Sequence, residues 1–510
     1  MDGGVELSKG TKDAINEYLA KKNLPLDIAV TFDDVWIPEQ FSGTRSRKEI
    51  WSLPSKSFRE SIGKGIALNY PVLSANMISV TGLNMARAML RAGGGYFLPQ
   101  MLNLESRTGI LEQIKRTDSA LIEGNSVLVT TPWQKLKEAR AHMERHNIWT
   151  LVVINNETER KVVGILSPRD WRREMDHECS VAALMTRVVH SVDALASLDV
   201  VKVLMRKNKI EKLPIVDHAG RLQGLYTAHG VFYEMDHPLA TRDTLGGFTL
   251  FGSVRVGREI TKETKQELEC QAKLGVKVML FDTARGYAIN LKELLQFSAK
   301  EYPQFVNVVG NVSSAEGASA LFEWGAHIVK VNQGRGSQCR TSRQTGVGQP
   351  QITAIAETSV IAKEYGGKII ADGGMKSPGD VAKAFIAGAH FVMTGSRLVG
   401  TYESPPQSEY KLDKETGKYY MVKKYEGSAS LEAQKKRIFE GTLDEFRQPE
   451  GEWEYFPVVG SVRDAIPELF EVIASSMSYH GMTTLDEFRE IGHFGGKLQT
   501  KAGHEEGVKS

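Results

Sequence analysis

The chain has 510 residues, and its 64 lysines and arginines nearly balance its 62 aspartates and glutamates, which gives a formal net charge of +2. This length predicts two or three domains rather than one. The near-neutral charge argues against a protein that binds nucleic acid through a strong positive field. The sequence has no apolar run long enough to predict a membrane-spanning helix.

The three cysteines, Cys179, Cys270 and Cys339, are far apart in the chain and odd in number. This pattern argues against a disulfide framework and against a zinc site built from cysteine pairs. The first residues also lack the basic and apolar regions of a secretory signal. We therefore expect a reducing, cytoplasmic location, with no membrane or nucleic-acid partner.

Strand and helix patterns alternate along most of the chain. An apolar stretch at 72–77 precedes a helical pattern at 84–91, and the alternation returns after residue 240. Parallel strands joined by right-handed crossovers predict an α/β fold, with a closed (β/α)8 TIM barrel favoured and an open doubly wound sheet as the alternative. The later predicted strands are 276–281, 307–311, 327–331, 368–371 and 391–394.

An internal repeat interrupts this alternation. Each copy has the order strand–helix–strand–strand–helix, and the two copies lie about 60 residues apart. This order resembles a pair of CBS modules, which form one small regulatory domain. We therefore predict that residues 1–118 form the first part of the barrel, residues 119–235 the CBS pair, and residues 236–510 the rest of the barrel with a catalytic loop and a flap.

Polar or glycine residues follow several of the predicted barrel strands, where a barrel carries its active site. Gly373-Gly374 and Gly395-Ser396 follow two late strands, and their backbone N–H groups suit a phosphate, although glycines at such positions also simply make tight turns. Asp372 would lie beside the phosphate and could hold ribose hydroxyls, or it could cap a turn. Asp282 and Asn311 end two further strands.

Cys339 is the strongest candidate for a catalytic residue. It lies in the segment 334–341, which reads GRGSQCRT. A thiolate is a strong nucleophile, and cations such as the nearby arginines lower the pKa of a cysteine. The alternative is an inert, buried cysteine. Thr341 lies two residues further on and could hydrogen-bond an acid or a base.

These segments resemble the IMP dehydrogenase/GMP reductase family over nearly the whole chain. The matching segments are 282–286 (DTARG), 310–312 (GNV), 329–331 (VKV), 334–341 (GRGSQCRT), 346–351 (GVGQPQ), 371–374 (ADGG) and 395–401 (GSRLVGT). The repeat also stands where this family carries its CBS pair.

The resemblance implies a shared reaction centre. The cysteine would attack C2 of a purine nucleotide, and hydride would pass between C2 and a nicotinamide. The resemblance further implies that Asp282 and Asn311 lie at the nicotinamide end, and that Asp372 binds the ribose. It assigns the phosphate to Ser337, Gly374, Gly395 and Ser396, and the base to Met77 and Ser428.

The two branches of the family differ in how they handle water and ammonia. Dehydrogenases carry an Arg-Tyr pair that activates water, whereas Arg437 is followed here by Ile438, which cannot pass a proton. Reductases use a Thr–Glu pair to protonate the leaving ammonia, and Thr341 and Glu450 match that pair. The segments 75–77 (ANM) and 98–100 (LPQ) also resemble reductases. We therefore predict a GMP reductase that uses NADPH, with an NAD-dependent IMP dehydrogenase as the alternative.

Several further expectations follow from the resemblance. Family members bind potassium through carbonyls of the cysteine loop, here Gly334, Gly336 and Cys339, but Arg335 could supply positive charge instead. They form tetramers that can pair into octamers.

Ser167 and Asp170 fit the nucleotide motif of the first CBS copy, whereas the second copy has Gly230 in place of the aspartate. A non-catalytic nucleotide sensor is a further alternative.

Overall fold

The structure is a computed structural model that describes residues 5–117, 121–146, 148–228, 230–232, 237–244, 246–332, 345–412, 417–426 and 453–496. The chain divides into two compact units. The first comprises Met1–Leu111, Leu239–Arg242 and Thr249–Ser510, and the second comprises Glu112–Pro238 and Asp243–Phe248. Among the described residues, no helix is both long and apolar enough to cross a membrane.

The first segment of the first unit supplies a helical entry, a hairpin and two barrel strands. Helix α4 ends where Gly93 adopts φ +90°, a left-handed conformation that glycine accepts without strain. The elements are α1 (Lys9–Lys21), a 3-10 turn (Phe32–Asp34), α2 (Lys48–Trp51), α3 (Pro54–Ser57), β1 (Glu60–Gly63), β2 (Ile66–Leu68), β3 (Val72–Ser74), α4 (Leu83–Ala92), β4 (Gly95–Tyr96) and α5 (Leu104–Thr117).

The second unit contains two three-stranded sheets, which follow the order β6-β7-β8 and β5-β10-β9. In the first copy of the repeat β6 pairs in parallel with β7, and in the second copy Val192 forms a parallel bridge to Ile215 of β9. The elements are β5 (Leu121–Glu123), a 3-10 turn (Gly124–Ser126), β6 (Val129–Thr130), α6 (Leu136–Arg145), β7 (Leu151–Ile154), β8 (Val162–Leu166), α7 (Pro168–Trp171), α8 (Val181–Leu184), α9 (Leu198–Asn208), β9 (Lys212–Val216) and β10 (Leu222–Thr227).

The barrel continues with six strands that alternate with helices. Their side chains are almost entirely buried, which is typical of parallel strands covered on both faces. The elements are β11 (Phe251–Arg255), α10 (Lys262–Leu274), β12 (Val278–Asp282), α11 (Ile289–Glu301), β13 (Val306–Val312), α12 (Ala315–Glu323), β14 (Ile328–Val331), α13 (Gln351–Glu364), β15 (Lys368–Asp372), α14 (Pro378–Ile386), β16 (Phe391–Thr394) and α15 (Ser396–Val399).

Eight parallel strands form one sheet in the order β11-β12-β13-β14-β15-β16-β3-β4. This is the order of a (β/α)8 barrel whose second and third strands are separated in sequence by the second unit. The two ends of the sheet meet through the rings of Tyr96 and Phe251, whose centroids are 5.3 Å apart with the ring planes inclined at 50°. They also meet where the Ser253 hydroxyl donates to the carbonyl of Leu98 at 2.7 Å. The predicted fold class, a TIM barrel, is confirmed.

A small antiparallel sheet and two helices complete the first unit. Lys423 on the central strand β18 is buried, and its ammonium donates to the carbonyls of Thr401 and Ser404 at 2.8 and 2.9 Å, which fixes the sheet to the loop after α15. The elements are β17 (Ser408–Leu412), β18 (Tyr419–Glu426), β19 (Trp453–Pro457), α16 (Val462–Tyr479) and α17 (Leu485–Glu490).

The predicted strands and helices agree with the observed ones to within a few residues wherever an apolar run precedes an amphipathic helix. Two barrel strands, β4 and β11, were not predicted. β4 has two residues, and β11 carries the small residues Gly252 and Ser253. Neither has the long apolar run that indicates a buried strand. Their place in the barrel follows from neighbours that are distant in sequence.

Candidate active site

Four polar side chains stand at the carboxyl ends of four neighbouring barrel strands. Asp282 ends β12, Asn311 lies one residue before the end of β13, Lys330 lies one residue before the end of β14, and Asp372 ends β15. Because the strands are parallel and adjacent, these side chains meet at one rim of the barrel, where (β/α)8 enzymes carry their active sites.

Lys330 lies between two carboxylates. Its Nζ is 2.7 Å from Oδ1 of Asp282 and 2.8 Å from Oδ2 of Asp372, and the residue is only 3% exposed. Burial by itself lowers the pKa of an ammonium group, but the two aspartates more than offset that effect, so the pKa of Lys330 is raised above its usual value. Lys330 is therefore a fixed positive charge at the centre of the rim.

Asp282 is held from a second side by residues of the early barrel segment. The side-chain amide of Asn76 donates to Oδ2 of Asp282 at 2.9 Å, and that of Gln100 donates to its backbone carbonyl, also at 2.9 Å. Both carboxylate oxygens of Asp282 thus have a donor, one from Asn76 and one from Lys330. The rotamer of this carboxylate is set before any ligand arrives.

Asp372 keeps one oxygen open. Its Oδ2 accepts from Lys330 and also from Nδ2 of Asn311 at 2.9 Å, and its backbone carbonyl accepts from the side-chain amide of Asn332. No described residue donates to its Oδ1. An ionised carboxylate with one restrained and one open oxygen can accept a hydrogen bond from a ligand hydroxyl.

Two buried acceptors at the same rim also lack a partner. Oε1 of Gln100 and Oδ1 of Asn311 are both buried, and neither accepts a hydrogen bond within the part of the chain that the structure describes. A buried carbonyl oxygen without a donor is costly. Within the described part of the chain, the rim therefore holds two carbonyl oxygens whose capacity to accept a hydrogen bond is unused.

The two glycine loops that are predicted to bind phosphate directly follow strands β15 and β16. Gly373 and Gly374 both adopt positive φ, +74° and +79°, directly after β15. At Gly395 a side chain would have no room, since a Cβ there would lie 2.5 Å from Oη of Tyr425. Ser396 follows at the first position of α15. Backbone N–H groups on such loops are a common binding site for anions.

Tyr425 connects this loop to the predicted base contact. Its hydroxyl lies 3.4 Å from Sδ of Met77 and faces Gly395. The residue is only 5% exposed and lies on β18 of the small sheet. The sheet thus places a phenol between the loop after β16 and the loop after β3.

The other predicted site residues in the first unit lie outside the described residues, and their positions stay predictions. The catalytic group comprises Cys339, Thr341 and Glu450. The nucleotide contacts Ser337 and Ser428 and the cation-loop residues Gly334 and Gly336 also belong to this set.

In the second unit, Ser167 and Asp170 form the N-terminal cap of helix α7. Oδ2 of Asp170 accepts from the backbone N–H and the hydroxyl of Ser167, both at 2.7 Å, and Thr186 donates to its Oδ1 at 2.9 Å. Both carboxylate oxygens thus already have donors from the protein. The capping role of this motif is therefore present, and its nucleotide role stays a prediction.

Sequence reasoning assigned no role to Lys330, Gln100 or Tyr425. A signal for Lys330 was available, because it is the only charged residue in the apolar strand Ile328–Val331, and a buried charge is retained only with partners. Gln100 was noted only for its resemblance to reductases. Tyr425 carried no local signal, because its contacts come from distant parts of the chain.

Comparisons with known proteins identify the family of the chain. The model of the IMP dehydrogenase / GMP reductase domain matches residues 29–509. An inosine-5'-monophosphate dehydrogenase of Staphylococcus saprophyticus is 34% identical over 476 residues, which cover 91% of this chain and 93% of the relative. One from Streptococcus pyogenes is 32% identical over 473 residues, 91% and 92% of the two chains.

Solved structures of GMP reductases also resemble the chain. A variant of GMP reductase from Trypanosoma brucei in complex with guanosine 5'-monophosphate has a TM-score of 0.80 and 29% identity, covering 94% of this chain and 98% of its own. GMP reductase from the same organism in complex with guanosine 5'-triphosphate has a TM-score of 0.72 and 27% identity, with 93% and 98% covered. The chain therefore belongs to the IMP dehydrogenase/GMP reductase family of oxidoreductases.

Proposed function

We propose that this protein is a GMP reductase, which converts GMP to IMP and ammonia with NADPH as the reductant. The observation that carries this choice is that Asn76 and Gln100, which lie in the two segments that resemble reductases, both donate to Asp282. Asp282 is the residue proposed for the nicotinamide end of the site. Ile438, at the position of the dehydrogenases' tyrosine, and the structural likeness to the Trypanosoma brucei GMP reductase support the same branch.

The proposed chemistry begins at Cys339. Its thiolate forms a bond to C2 of GMP, the bond from C2 to the amino nitrogen breaks, and a proton delivered through Thr341 and Glu450 allows ammonia to leave. NADPH, when bound, supplies the hydride that reduces C2. The sulfur–C2 bond then breaks, the thiolate returns, and IMP is released.

Several contacts predicted from the sequence or seen at the rim support a purine nucleotide and a nicotinamide. The open Oδ1 of Asp372 suits a ribose hydroxyl, and the loops at Gly374 and at Gly395-Ser396, together with Ser337, suit the phosphate. Met77 and Ser428 are proposed to contact the base. The unpartnered carbonyl oxygens of Gln100 and Asn311 suit the N–H groups of a carboxamide. We therefore place the nicotinamide beside Asp282 and Asn311.

We further propose that residues 119–235 are a pair of CBS modules that bind a purine nucleotide at Ser167 and Asp170. A ribose hydroxyl would replace the hydrogen bond from Thr186 to Asp170. Such binding can change activity only if two states of the protein differ in nucleotide affinity. We also propose a tetramer that can pair into an octamer, a potassium ion at the carbonyls of Gly334, Gly336 and Cys339, and a cytoplasmic location.

The alternative function is NAD-dependent oxidation of IMP to XMP. The specific observation in its favour is that the curated relatives at 34% and 32% identity are named as inosine-5'-monophosphate dehydrogenases. A non-catalytic nucleotide sensor is a second alternative, and a cysteine beside Thr341 in the loop 334–341 argues against it.

One assay separates the three functions. The protein is mixed with GMP and NADPH, and the nicotinamide absorbance band is followed while ammonia and IMP are measured. A reductase consumes NADPH and forms equal amounts of ammonia and IMP. A dehydrogenase does neither, but forms NADH from IMP and NAD. A sensor binds nucleotide in calorimetry without turnover in either mixture.

A further inference from the structure

The single positive charge of Lys330 forms ion pairs with two carboxylates. Asp282 and Asp372 both lie within 2.8 Å of its ammonium, so the three groups together carry one net negative charge. Removing the ammonium from between these two partly buried carboxylates would leave like charges close together, and one of them would take up a proton instead. The balance of charge at the rim therefore depends on Lys330.

The geometry of the rim depends on Lys330 as well. Asp372 is on the strand next to Lys330, whereas Asp282 is two strands away on its other side, with Asn311 of β13 between them. Asn311 also donates to Oδ2 of Asp372, the oxygen that Lys330 holds. This leaves Oδ1 of Asp372 without a donor among the described residues.

We propose that Lys330 is a positioning residue that ties the nucleotide site at Asp372 to the nicotinamide site at Asp282. Its single positive charge is shared by both carboxylates, and its contact with Oδ2 of Asp372 leaves the other oxygen for the ribose. A change that breaks the contact of Lys330 with one aspartate therefore also alters the position and charge environment of the other aspartate. This inference rests on the proposed function only in that Asp372 holds a nucleotide ribose, and it applies to either direction of the reaction.

The test is nucleotide binding to the full-length protein by calorimetry over a range of pH. Lys330→Met should bind GMP and IMP at least about tenfold more weakly than the wild type at neutral pH, and the gap should widen as the pH falls, because the proton taken up by the paired carboxylates blocks the ribose contact. Binding of 2′-deoxy-GMP should lose much less, since one of the hydroxyls that Asp372 would hold is absent.

A second change restores the charge balance. Lys330→Met combined with Asp282→Asn leaves Asp372 as a single carboxylate, so nucleotide affinity should recover part of the loss and its extra pH dependence should disappear. If the double variant is no better than Lys330→Met, the proposed electrostatic role is wrong. Should Lys330→Met fail to fold, Lys330→Gln keeps hydrogen-bond donors without the charge, and the same pH dependence is expected of it.

Lys22→Met is the matched control. Lys22 is buried like Lys330, but within the described part of the chain its ammonium donates to backbone carbonyls, those of Arg489 and Gly492. This variant should lower Tm and leave nucleotide affinity unchanged at every pH. The proposal is overturned if Lys330→Met behaves in the same way. The proposed function fails separately if the wild type binds neither GMP nor IMP.

Discussion

Asn76 and Asp282 are joined by a hydrogen bond of 2.9 Å from the side-chain amide to Oδ2 of the carboxylate, across 206 positions of sequence. Asn76 lies in the loop after the first barrel strand in sequence, β3, and Asp282 ends β12. With Lys330 on the other oxygen, the carboxylate is fixed from both sides. Asn76, whose segment 75–77 resembles reductases, thus holds a carboxylate of the proposed nicotinamide site.

Asn76→Ala should weaken the nicotinamide site selectively. A hydrogen bond to a charged group contributes about 1.5–3 kcal/mol, so the KM for NADPH should rise by about tenfold or more, with a smaller change in the KM for GMP. Asn69→Ala is the control, because the amide of Asn69 donates at 2.7 Å to a backbone carbonyl, that of Leu239. Equal effects of Asn76→Ala on both KM values would contradict this assignment.

Gly395→Ala should impair nucleotide binding. The added Cβ would lie 2.5 Å from Oη of Tyr425, so the tyrosine or the loop must move, and the KM for GMP should rise by about tenfold or more. Gly379→Ala is the control, since a Cβ at Gly379 meets only Oγ of Ser377 at 3.6 Å, an ordinary contact.

The same contact predicts a rescue. Tyr425→Phe removes the oxygen that the new methyl group would meet, so Gly395→Ala combined with Tyr425→Phe should bind GMP better than Gly395→Ala alone. The coupling is measured as a double-mutant cycle on the Kd for GMP. Strictly additive losses would show that the steric conflict is not the cause.

Cys339→Ala should abolish turnover in both directions while leaving GMP binding within a few-fold of the wild type. The reason is that the proposed mechanism needs a sulfur nucleophile at C2, whereas the phosphate and ribose contacts come from other residues. Steady-state assays and calorimetry on the same preparation measure the two quantities. Substantial residual turnover would rule out the covalent route.

His390 should make the stability of the barrel depend on pH. Burial, with smaller contributions from Arg489 and Lys368, lowers the pKa of His390 from 6.5 to about 2, and its Nδ1 accepts from the backbone N–H of Ile369. Below about pH 6.5 the unfolded chain therefore binds a proton on His390, whereas the folded protein keeps His390 neutral. This stabilising contribution is complete above that pH and is lost as the pH falls toward 2.

His390→Asn keeps an acceptor near Ile369 but does not titrate. Between pH 6.5 and 5, the wild type should lose up to about 1.4 kcal/mol per pH unit relative to this variant. Calorimetric Tm values of both proteins across this range provide the measurement. Parallel Tm curves for the two proteins would mean that His390 takes up its proton in the folded state.

A strand and helix of the barrel were predictable wherever an apolar run and the amphipathic helix after it can be recognised from the local sequence. The runs at 276–281 and 307–311 are apolar enough to predict buried strands, and each is followed by an amphipathic helix. β4 and β11 were not predictable in this way, since two residues, or a strand with glycine and serine, do not differ from a loop in sequence. The Tyr96–Phe251 contact and the hydrogen bond from Ser253 to Leu98 show that these strands close the barrel.

For the site, the sequence by itself determined the residue types at the strand ends, because the residue after a buried parallel strand reaches the barrel rim wherever that strand lies. Asp282, Asn311 and Asp372 were found in this way. Only the tertiary structure decided which of them share a partner. The ammonium of Lys330 reaches across two strands, and Asn76 and Tyr425 arrive from distant segments. Such contacts depend on the order of strands around the barrel, which local sequence patterns do not encode.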